Sequence, residues 1–190
     1  MIFNNRENKC FKVIDNDKER LVWESRSVAV NGVVIVWRKG TDIPYVLVSK
    51  RGPNSADFKG LMNVVAGYLD WDETGTEAFY REAWEECGLN IPKLLKETSP
   101  LDVHLDQPWH VKTDTDANRQ NVSLRYGCNL SLDSYALPPL SLDNNEVEGE
   151  VESACWMPVN EINQYEWAFN HDKLIKDYLM KIDAYDKYLK

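Results

Sequence analysis

The sequence predicts an α/β protein in which a mixed β-sheet packs against helices. Two observations support this fold class: short apolar, β-branched runs recur along the chain, and only a few segments show helical periodicity. The chain has 190 residues, 43% of them hydrophobic, so it can bury one substantial core. An α+β arrangement of the same elements is the alternative.

The first strands are predicted from apolar segments on either side of a polar turn. Residues 11–14 and 21–30 flank Asp15–Lys18, which predicts a hairpin that leads into the main domain. The β-branched runs Val33–Trp37 and Tyr45–Val48 are typical of buried strands. Further strands are predicted at residues 61–68, 101–105, 122–130 and 151–159.

One helix is strongly defined at both ends. Thr74 followed by Glu77 is a capping box, which places the first helical residue near Gly75. Gly88 supplies a left-handed C-terminal stop after about three turns. Two further helical segments are predicted at residues 160–165 and 172–189, and polar loops at residues 51–59, 106–121 and 134–145.

Composition limits the classes of function. The formal net charge of −9 argues against a nucleic-acid coat or a protein that binds anionic membrane surfaces. An anionic small-molecule substrate is compatible with this charge, because bound metal ions can reverse the sign of a local field. No apolar run approaches the roughly 18 residues of a membrane-spanning helix.

The cysteines and the N-terminus predict a cytoplasmic protein. The four cysteines form no CxxC pair, so neither a zinc site nor a thioredoxin-like motif is indicated. They are Cys10, Cys87, Cys128 and Cys155. The first residues are polar and lack the apolar centre of a secretory leader, so we expect reduced thiols.

Three carboxylates share one face of the predicted helix. At about 100° per residue, Glu86 lies about 40° to one side of Glu82, and Glu85 about 60° to the other. Like charges at this spacing destabilise a helix by roughly 0.2–0.5 kcal/mol per pair, and the C-terminal macrodipole disfavours them further. The pattern therefore favours a solvated acidic face or a site for a hard cation such as Mg²⁺, which takes oxygen ligands.

The sequence also predicts the contacts of the other residues of this helix. Arg81 lies one turn from Glu77 and one turn from Glu85, so it can pair with both. Ala78 falls among the carboxylates, where its methyl group leaves room. The opposite arc is predicted to face the core, and it consists of Phe79, Tyr80, Ala83, Trp84 and Cys87.

The whole segment Gly67–Leu89 resembles the Nudix box, the signature of the Nudix hydrolase family of MutT-like pyrophosphohydrolases. Its slots are filled by Gly67, Glu73, Arg81, Glu82, Ala83, Glu85, Glu86, Gly88 and Leu89. Ala66 and Asp72 depart from the pattern, since the family often has glycine at both positions. The box covers about an eighth of the chain, and residues 27–165 fit the usual extent of the family.

The resemblance implies a fold and a division of the chain. Family members are α/β/α sandwiches with a mixed sheet. Residues 1–26 would then form an N-terminal β-hairpin extension, and residues 27–190 the Nudix domain with a C-terminal helix. An N-terminal extension dimerises in several branches of the family, so we expect a homodimer.

The resemblance also implies a chemistry. The family hydrolyses a nucleoside diphosphate linked to another group, usually with Mg²⁺ and sometimes with Mn²⁺. The expected metal ligands are Glu82, Glu85, Glu86 and the carbonyl of Gly67. Arg81 and Glu85 count among the expected catalytic residues, and Glu73 is expected to face Arg81 rather than the metal.

Family members often require a further carboxylate from outside the box, as a base or an extra metal ligand. The candidates are Glu146, Glu148, Glu150 and Glu152, of which we favour Glu148 or Glu150 as catalytic residues. His104 and His110 are alternatives with a suitable intrinsic pKa. An ordinary surface or structural role is the competing interpretation for each of these side chains.

Substrate contacts are predicted at three positions. Arg51 opens the loop that faces the box in family members, where a guanidinium can bind a phosphate through two hydrogen bonds. Phe58 and Trp109 are candidates for stacking on a base, whereas Trp37 is more typical of a core. A surface arginine and core aromatics are the alternatives. The markers of the NADH, ADP-ribose and dinucleoside-polyphosphate branches are not convincingly matched.

Three functions are compatible with this resemblance. The first is a metal-dependent hydrolase acting on a small nucleoside diphosphate derivative. The second is a module on the same fold that senses such a ligand without turnover. The third is the isoprenyl diphosphate isomerase branch, which needs a Cys and a Glu in dedicated motifs that this sequence lacks. Because all box carboxylates are retained, we favour the hydrolase.

Overall fold

The computed structural model describes residues 9–113, 121–145 and 147–189, with only the backbone of Trp23. The strands are β1 (Lys9–Asp15), β2 (Lys18–Glu24), β3 (Val28–Trp37), β4 (Tyr45–Arg51), β5 (Met62–Asn63), β6 (Val65–Tyr68), β7 (Ser99–His104), β8 (His110–Lys112), β9 (Val122–Ser131) and β10 (Val151–Pro158). The helices are α1 (Gly75–Cys87), α2 (Ile91–Glu97), α3 (His171–Lys181) and α4 (Tyr185–Leu189), with 3₁₀ turns at Val159–Gln164 and Ala168–Asn170.

The main sheet is mixed, which confirms the predicted fold class. Its strand order is β10-β4-β3-β9-β7, with β5, β6 and β8 paired at its sides. The β3–β9 pair is parallel and the other pairs are antiparallel. Helices α1 and α2 contribute to the core on one face, and α3 and α4 to the core on the other, so the domain is an α/β/α sandwich.

Strand β3 lies at the centre of both cores. Val34 and Val36 belong to the core beneath α1, whereas Val33 and Ile35 belong to the core beneath α3. All four side chains are fully buried. Because successive side chains of a strand point to opposite faces, a strand covered on both faces needs the continuous apolar run that the sequence shows.

Strand β3 also positions the candidate site by pairing with two different strands along one edge. Residues 29–32 pair with β6, and Ile35 and Val36 pair with β4. The short strand β6 therefore lies beside the first half of β3, with Gly67 opposite Val30. The chain leaves β6 directly towards α1, which brings the two elements that carry the box together.

The N-terminal hairpin is confirmed, although its second strand is shorter than predicted. Strands β1 and β2 pair in register around a turn at Asn16 and Asp17, which both have positive φ. Strand β2 ends at Glu24 rather than running on to residue 30. Between β2 and β3, Arg26 donates to the carbonyl of Asn121 at 2.9 Å, which fixes the change of direction.

Four other segments differ from the prediction. The sequence analysis missed α2, which is capped by Asn90: the Asn90 side chain accepts a hydrogen bond from the backbone N of Lys93 at 2.9 Å. It also missed β8, which lies inside a predicted loop. The segment at residues 160–165 is a 3₁₀ turn. The predicted helix over 172–189 is two helices, because the chain turns through a positive φ of 55° at Asp183. No helix in the described part of the chain is long and apolar enough to cross a membrane.

Candidate active site

The register of α1 is fixed by its first and last residues. The Thr74 hydroxyl accepts from the backbone N of Glu77 at 3.2 Å, and the backbone N of Thr74 donates to the Glu77 carboxylate at 2.8 Å. At the other end, Gly88 adopts the left-handed conformation. This confirms the predicted capping box and stop, and it sets which α1 side chains face the sheet.

The buried face of α1 is rotated from the predicted one towards the carboxylates. Ala78, Phe79, Ala83 and Cys87 are fully buried. At about 100° per residue, the centre of this arc lies close to Glu86, and Glu82 also falls within the arc. Trp84, predicted to face the core, is instead 45% exposed. Ala78 belongs to the core rather than to a solvated acidic face.

Arg81 connects the acidic residues of the box. Its Nε and Nη2 donate to the two carboxylate oxygens of Glu73 at 3.0 and 2.8 Å. Its Nη1 donates to Glu82 Oε1 at 2.8 Å and to Glu85 Oε2 at 3.0 Å. The Tyr68 carbonyl accepts from Nη2 at 3.0 Å. Glu73 therefore faces Arg81, and one guanidinium holds three box carboxylates in place.

Two box carboxylates carry an electrostatic cost in the absence of a cation. Burial raises the pKa of Glu82 to about 7, although the adjacent Arg81 opposes the rise. Burial raises the pKa of Glu86 well above its usual value, and the neighbouring charge of Glu82 adds to the rise. Glu73 shows the opposite behaviour, since the hydrogen bonds from Arg81 lower its pKa. A positive charge placed between Glu82 and Glu86 would relieve this cost.

The absence of a side chain at Gly67 is required by its contact with α1. A Cβ at this position would collide with the carboxylate of Glu82. The preceding residue, Ala66, donates its backbone N–H to Glu86 Oε2 at 3.4 Å. Strand β6 therefore approaches the acidic face of α1 with its backbone, as an oxygen-rich site needs.

A cavity of about 270 Å³ opens between β6, α1 and the loop before β10. Its walls include Ala66–Tyr68, Glu82, Glu85, Glu86 and, from the loop, Asn145 and Glu150. Glu150 therefore lies at the cavity, whereas the side chain of Glu148 does not line it. Glu152 pairs with Lys50 at 2.7 Å on the outside of the sheet. Glu146, the remaining candidate, lies outside the described residues.

The predicted substrate residues lie outside the walls of this cavity. The Arg51 side chain is 12% exposed, donates to the carbonyl of Asp57 at 2.9 Å and packs on the ring of Phe169. Phe58 lies edge-on to the same ring at 4.7 Å. Trp109 packs against Tyr178 of α3, on the other face of the sheet.

The two histidine candidates are placed elsewhere. His104 lies on β7, where its Nε2 is 2.9 Å from Asp102. His110 is exposed on β8. Neither side chain lines the cavity, and their role as a base stays a prediction that the geometry does not favour.

The carboxylates of Glu82, Glu85 and Glu86 are suitable ligands for a hard divalent cation, but they do not point towards one common position. Within the described ranges, no three Asp, Glu, His or Cys side chains are arranged to hold a metal ion as they stand. The reason is visible at Arg81, which draws Glu82 and Glu85 towards its own Nη1. Binding a cation would require these carboxylates to turn from the guanidinium towards Glu86, which is partly buried.

Two residues of the site were missed by the sequence analysis. Asp70 lines the cavity and lies 3.5 Å from Arg81 Nη2. Its place inside the box, three residues after Gly67, was a usable signal. Asn145 lines the cavity from a distant loop, and no local pattern marks it.

Comparison with known proteins gives the class of protein that this fold and site define. The NUDIX domain profile matches residues 26–178, which is most of the chain. This chain belongs to the Nudix family. No curated protein sequence matches it significantly.

Solved structures share the fold at low sequence identity. The NUDIX domain of Shewanella oneidensis NrtR, complexed with ADP ribose, has a TM-score of 0.61 at 19% identity, covering 84% of this chain and 90% of that chain. A bifunctional NMN adenylyltransferase/ADP ribose pyrophosphatase from Francisella tularensis, complexed with AMP and a Mn ion, has a TM-score of 0.59 at 20% identity, covering 83% and 42%. A NUDIX hydrolase from Nitrosomonas europaea has a TM-score of 0.53 at 20% identity, covering 83% and 90%.

Proposed function

We propose that this protein hydrolyses the phosphoric anhydride bond of a small nucleoside diphosphate derivative, with Mg²⁺ or Mn²⁺ as cofactor. The observation that carries the proposal is the set of three box carboxylates, Glu82, Glu85 and Glu86, at one cavity, where burial raises the pKa of Glu82 and Glu86 enough to favour a cationic partner. On a fully solvated acidic face, burial would not raise the pKa of Glu86 in this way. The Mn ion in the Francisella protein agrees with a divalent cofactor.

Glu82, Glu85, Glu86 and the Gly67 carbonyl are the proposed metal ligands. A divalent cation held there would neutralise the diphosphate and lower the pKa of a water molecule that it binds. Arg81 would hold Glu82 and Glu85 while no cation is bound, and its pairing with Glu73 would keep the guanidinium in place when the two carboxylates turn towards the cation.

Glu150 is the proposed base or additional ligand from outside the box. It lines the cavity, and its negative charge contributes to the raised pKa of Glu86, so the two carboxylates interact. Glu148, the other residue favoured from the sequence, is the weaker proposal because its side chain lies off the cavity. Arg51 remains a proposed phosphate contact, since its charge acts on Glu86.

The base-stacking roles of Phe58 and Trp109 remain proposals of different strength. Phe58 is 45% exposed and lies close to the Phe169 ring on which Arg51 packs. A nucleobase on Phe58 would therefore be near the proposed phosphate contact. Trp109 donates to the Tyr126 carbonyl at 3.3 Å and packs on α3, so its ring is already occupied by the core.

A substrate panel tests the proposed reaction. The protein is incubated with Mg²⁺ or Mn²⁺ and ADP-ribose, NADH, diadenosine polyphosphates, nucleotide sugars or nucleoside triphosphates, and phosphate is measured after coupling to a phosphatase. We expect turnover of at least one compound, abolished in Glu86→Gln and retained in Glu97→Gln, an exposed acidic control on α2. ADP-ribose heads the panel because the NrtR domain was solved in complex with it.

A ligand-sensing module is the second candidate function. The observation that favours it is that a domain of similar fold, the NUDIX domain of NrtR, was solved in complex with ADP ribose. Tight binding of a panel compound by calorimetry, with no product after prolonged incubation with either metal, would identify the module and reject the hydrolase.

We further propose a cytoplasmic homodimer in which residues 1–26 form an extension of the Nudix domain. The four cysteines are free thiols, which suits a reducing compartment. The β1–β2 hairpin forms a sheet of its own among the described residues. Isolated two-stranded hairpins are marginally stable, so a second copy of the chain is the partner that we propose for it.

A further inference from the structure

Two loops are fastened together beside the carboxylate cavity. We call them the loop clasp, formed by residues 52–55 after β4 and residues 147–150 before β10. The backbone N of Gly52 donates to the carbonyl of Glu150 at 2.6 Å, and the backbone N of Asn54 donates to the carbonyl of Gly149 at 2.9 Å. These segments are almost a hundred residues apart in sequence, so only the folded protein brings them together.

Side chains add two further hydrogen bonds to the clasp. The Ser55 hydroxyl donates to the carbonyl of Glu150 at 2.7 Å, and the Asn54 amide donates to the carbonyl of Glu148 at 2.7 Å. Ser55 is 1% exposed, so its hydroxyl cannot exchange this partner for bulk water. Both bonds anchor the backbone of the turn that carries the proposed catalytic glutamate.

Two glycines allow this close approach. A Cβ at Gly52 would collide with the carbonyl of Gly149. Gly149 itself has a φ of 75°, which side chains disfavour. Both loops therefore use glycine where their backbones meet, which is expected if their spacing is fixed rather than adjustable.

The clasp holds two proposed functional residues in one unit. Glu150, whose carbonyl accepts from both Gly52 and Ser55, lines the cavity. The next residue, Val151, pairs with Arg51 in the β10–β4 register. Arg51, which precedes Gly52, and Glu150 therefore lie on two backbone segments that the clasp joins.

We propose that Ser55 is a positioning residue that orients Glu150 towards the carboxylate cavity, with Asn54 securing the start of the same turn. The inference rests on the proposed function, because it takes Glu150 as the base or additional ligand of the hydrolysis. Ser55 acts only through the backbone of Glu150 and does not contact the substrate.

A double-mutant cycle tests this role. Ser55→Ala should lower kcat about 10- to 100-fold with little change in KM, the size expected when a catalytic group is displaced by about 1 Å. Ser55→Thr, which keeps the hydroxyl, should restore most of the rate. In a Glu150→Gln background, Ser55→Ala should cause no further loss. Thr98→Ala removes a similar bond, 2.8 Å to the Leu94 carbonyl on α2, and should match wild type.

The outcomes separate this inference from the proposed function. Equal losses from Ser55→Ala with and without Glu150→Gln, or an unchanged kcat, would overturn the positioning role. If wild type turns over no panel compound, the hydrolase proposal fails by itself. Amide hydrogen exchange then tests the clasp: the Gly52 and Asn54 amides should exchange at least tenfold faster in Ser55→Ala, and unchanged rates would overturn it.

Discussion

Arg81 and Glu73 face each other through two parallel hydrogen bonds, from Nε to Oε2 at 3.0 Å and from Nη2 to Oε1 at 2.8 Å. The remaining donor of the guanidinium, Nη1, is thereby turned towards Glu82 and Glu85. Glu73 is only 13% exposed on its side chain, so this pair is partly shielded from water. The geometry makes Glu73 a support for Arg81 and directs its carboxylate towards the guanidinium.

Replacing Glu73 by glutamine should weaken this support. The amide supplies one acceptor and one donor where Arg81 needs two acceptors, so we expect a loss of about 1–2 kcal/mol in the free energy of unfolding at pH 7. Because Arg81 lowers the pKa of Glu73, the contribution is present at neutral pH and is lost as the pH falls below about 4.5. Urea unfolding of Glu73→Gln and wild type at a series of pH values from 7 down to 3 measures it.

The matched control for this prediction is Glu97→Gln. Glu97 forms an exposed ion pair with Lys93 at 3.8 Å, and such pairs contribute little. If Glu73→Gln and Glu97→Gln unfold at the same urea concentration at pH 7, the pair with Arg81 is not a stabilising one.

Local sequence signals account for α1 and for the identity of its carboxylates. Thr74, Glu77 and Gly88 fix the ends of the helix by contacts within a few residues, so they can be recognised without the fold. The orientation of α1 on the sheet depends on packing against β3 and β6, which is why Trp84 was assigned to the core and is exposed. The helical period gives the angles between the side chains of α1, but it does not show which side of the helix is buried.

The contribution of distant loops could not be obtained from the sequence. Glu148 and Glu150 are equivalent in local pattern, and only the docking of their turn on Gly52 and Ser55 places one of them at the cavity. The short elements α2 and β8 were not predicted from the sequence for a related reason. Seven and three residues are too few to display a period, so long-range pairing decides their structure.

A methyl group at Gly67 should separate β6 from α1. Since the new Cβ would collide with the Glu82 carboxylate, we expect Gly67→Ala to displace one proposed metal ligand and to lower kcat about 100-fold. The apparent affinity for Mn²⁺, measured by calorimetry, should fall with it. Ala66→Gly is the control at the adjacent position, and equal Mn²⁺ affinity in Gly67→Ala and wild type would contradict the assignment.

The buried carboxylates predict a metal-dependent response of stability to pH. The pKa values of Glu82 and Glu86 are raised in the folded state, so the folded protein retains protons that the unfolded chain has released. Their contribution to stability therefore falls as the pH rises from about 4.5 through the value of about 7 for Glu82. Mg²⁺ should reverse the loss, because it binds the ionised carboxylates of the folded state alone.

Thermal unfolding with EDTA or Mg²⁺ measures this effect. The rise in Tm caused by Mg²⁺ should be larger at pH 8 than at pH 5, where protons compete for the same oxygens. Glu86→Gln should be more stable than wild type at pH 8 in EDTA and should lose most of the Mg²⁺ response. A Mg²⁺ response of equal size in wild type and Glu86→Gln would show that the ion binds elsewhere.

His171 should make the folded protein less stable in acid, which is opposite to the effect expected of Glu82 and Glu86. Its Nδ1 accepts from the backbone N of Val64 at 3.3 Å, and burial, assisted by the charges of Arg125 and Arg51, lowers its pKa to about 3. Below about pH 6.5, His171 binds a proton in the unfolded chain but stays neutral in the folded protein. The free energy of unfolding therefore decreases as the pH falls from about 6.5 towards 3. The loss between pH 6.5 and pH 5 should be about 2 kcal/mol.

His171→Asn isolates this contribution. The amide oxygen keeps an acceptor for Val64 but does not titrate, so the variant should lose less stability than wild type between pH 6.5 and pH 5. Parallel pH profiles for His171→Asn and wild type would place the acid sensitivity in other residues.

The N-terminal hairpin predicts an oligomer that depends on its exposed apolar side chains. Ile14 and Leu21 lie on the same face of the hairpin, because Leu21 pairs with Lys12 and side chains two residues apart share a face. They are 80% and 60% exposed, which is costly unless another surface covers them.

Light scattering on the full chain should give the mass of a dimer, and Ile14→Lys with Leu21→Lys should shift it to the 22.0 kDa monomer. Tyr135→Lys, 71% exposed on the main domain, should remain dimeric. A monomeric wild type at micromolar concentration would reject this role for the hairpin while leaving the carboxylate site unaffected.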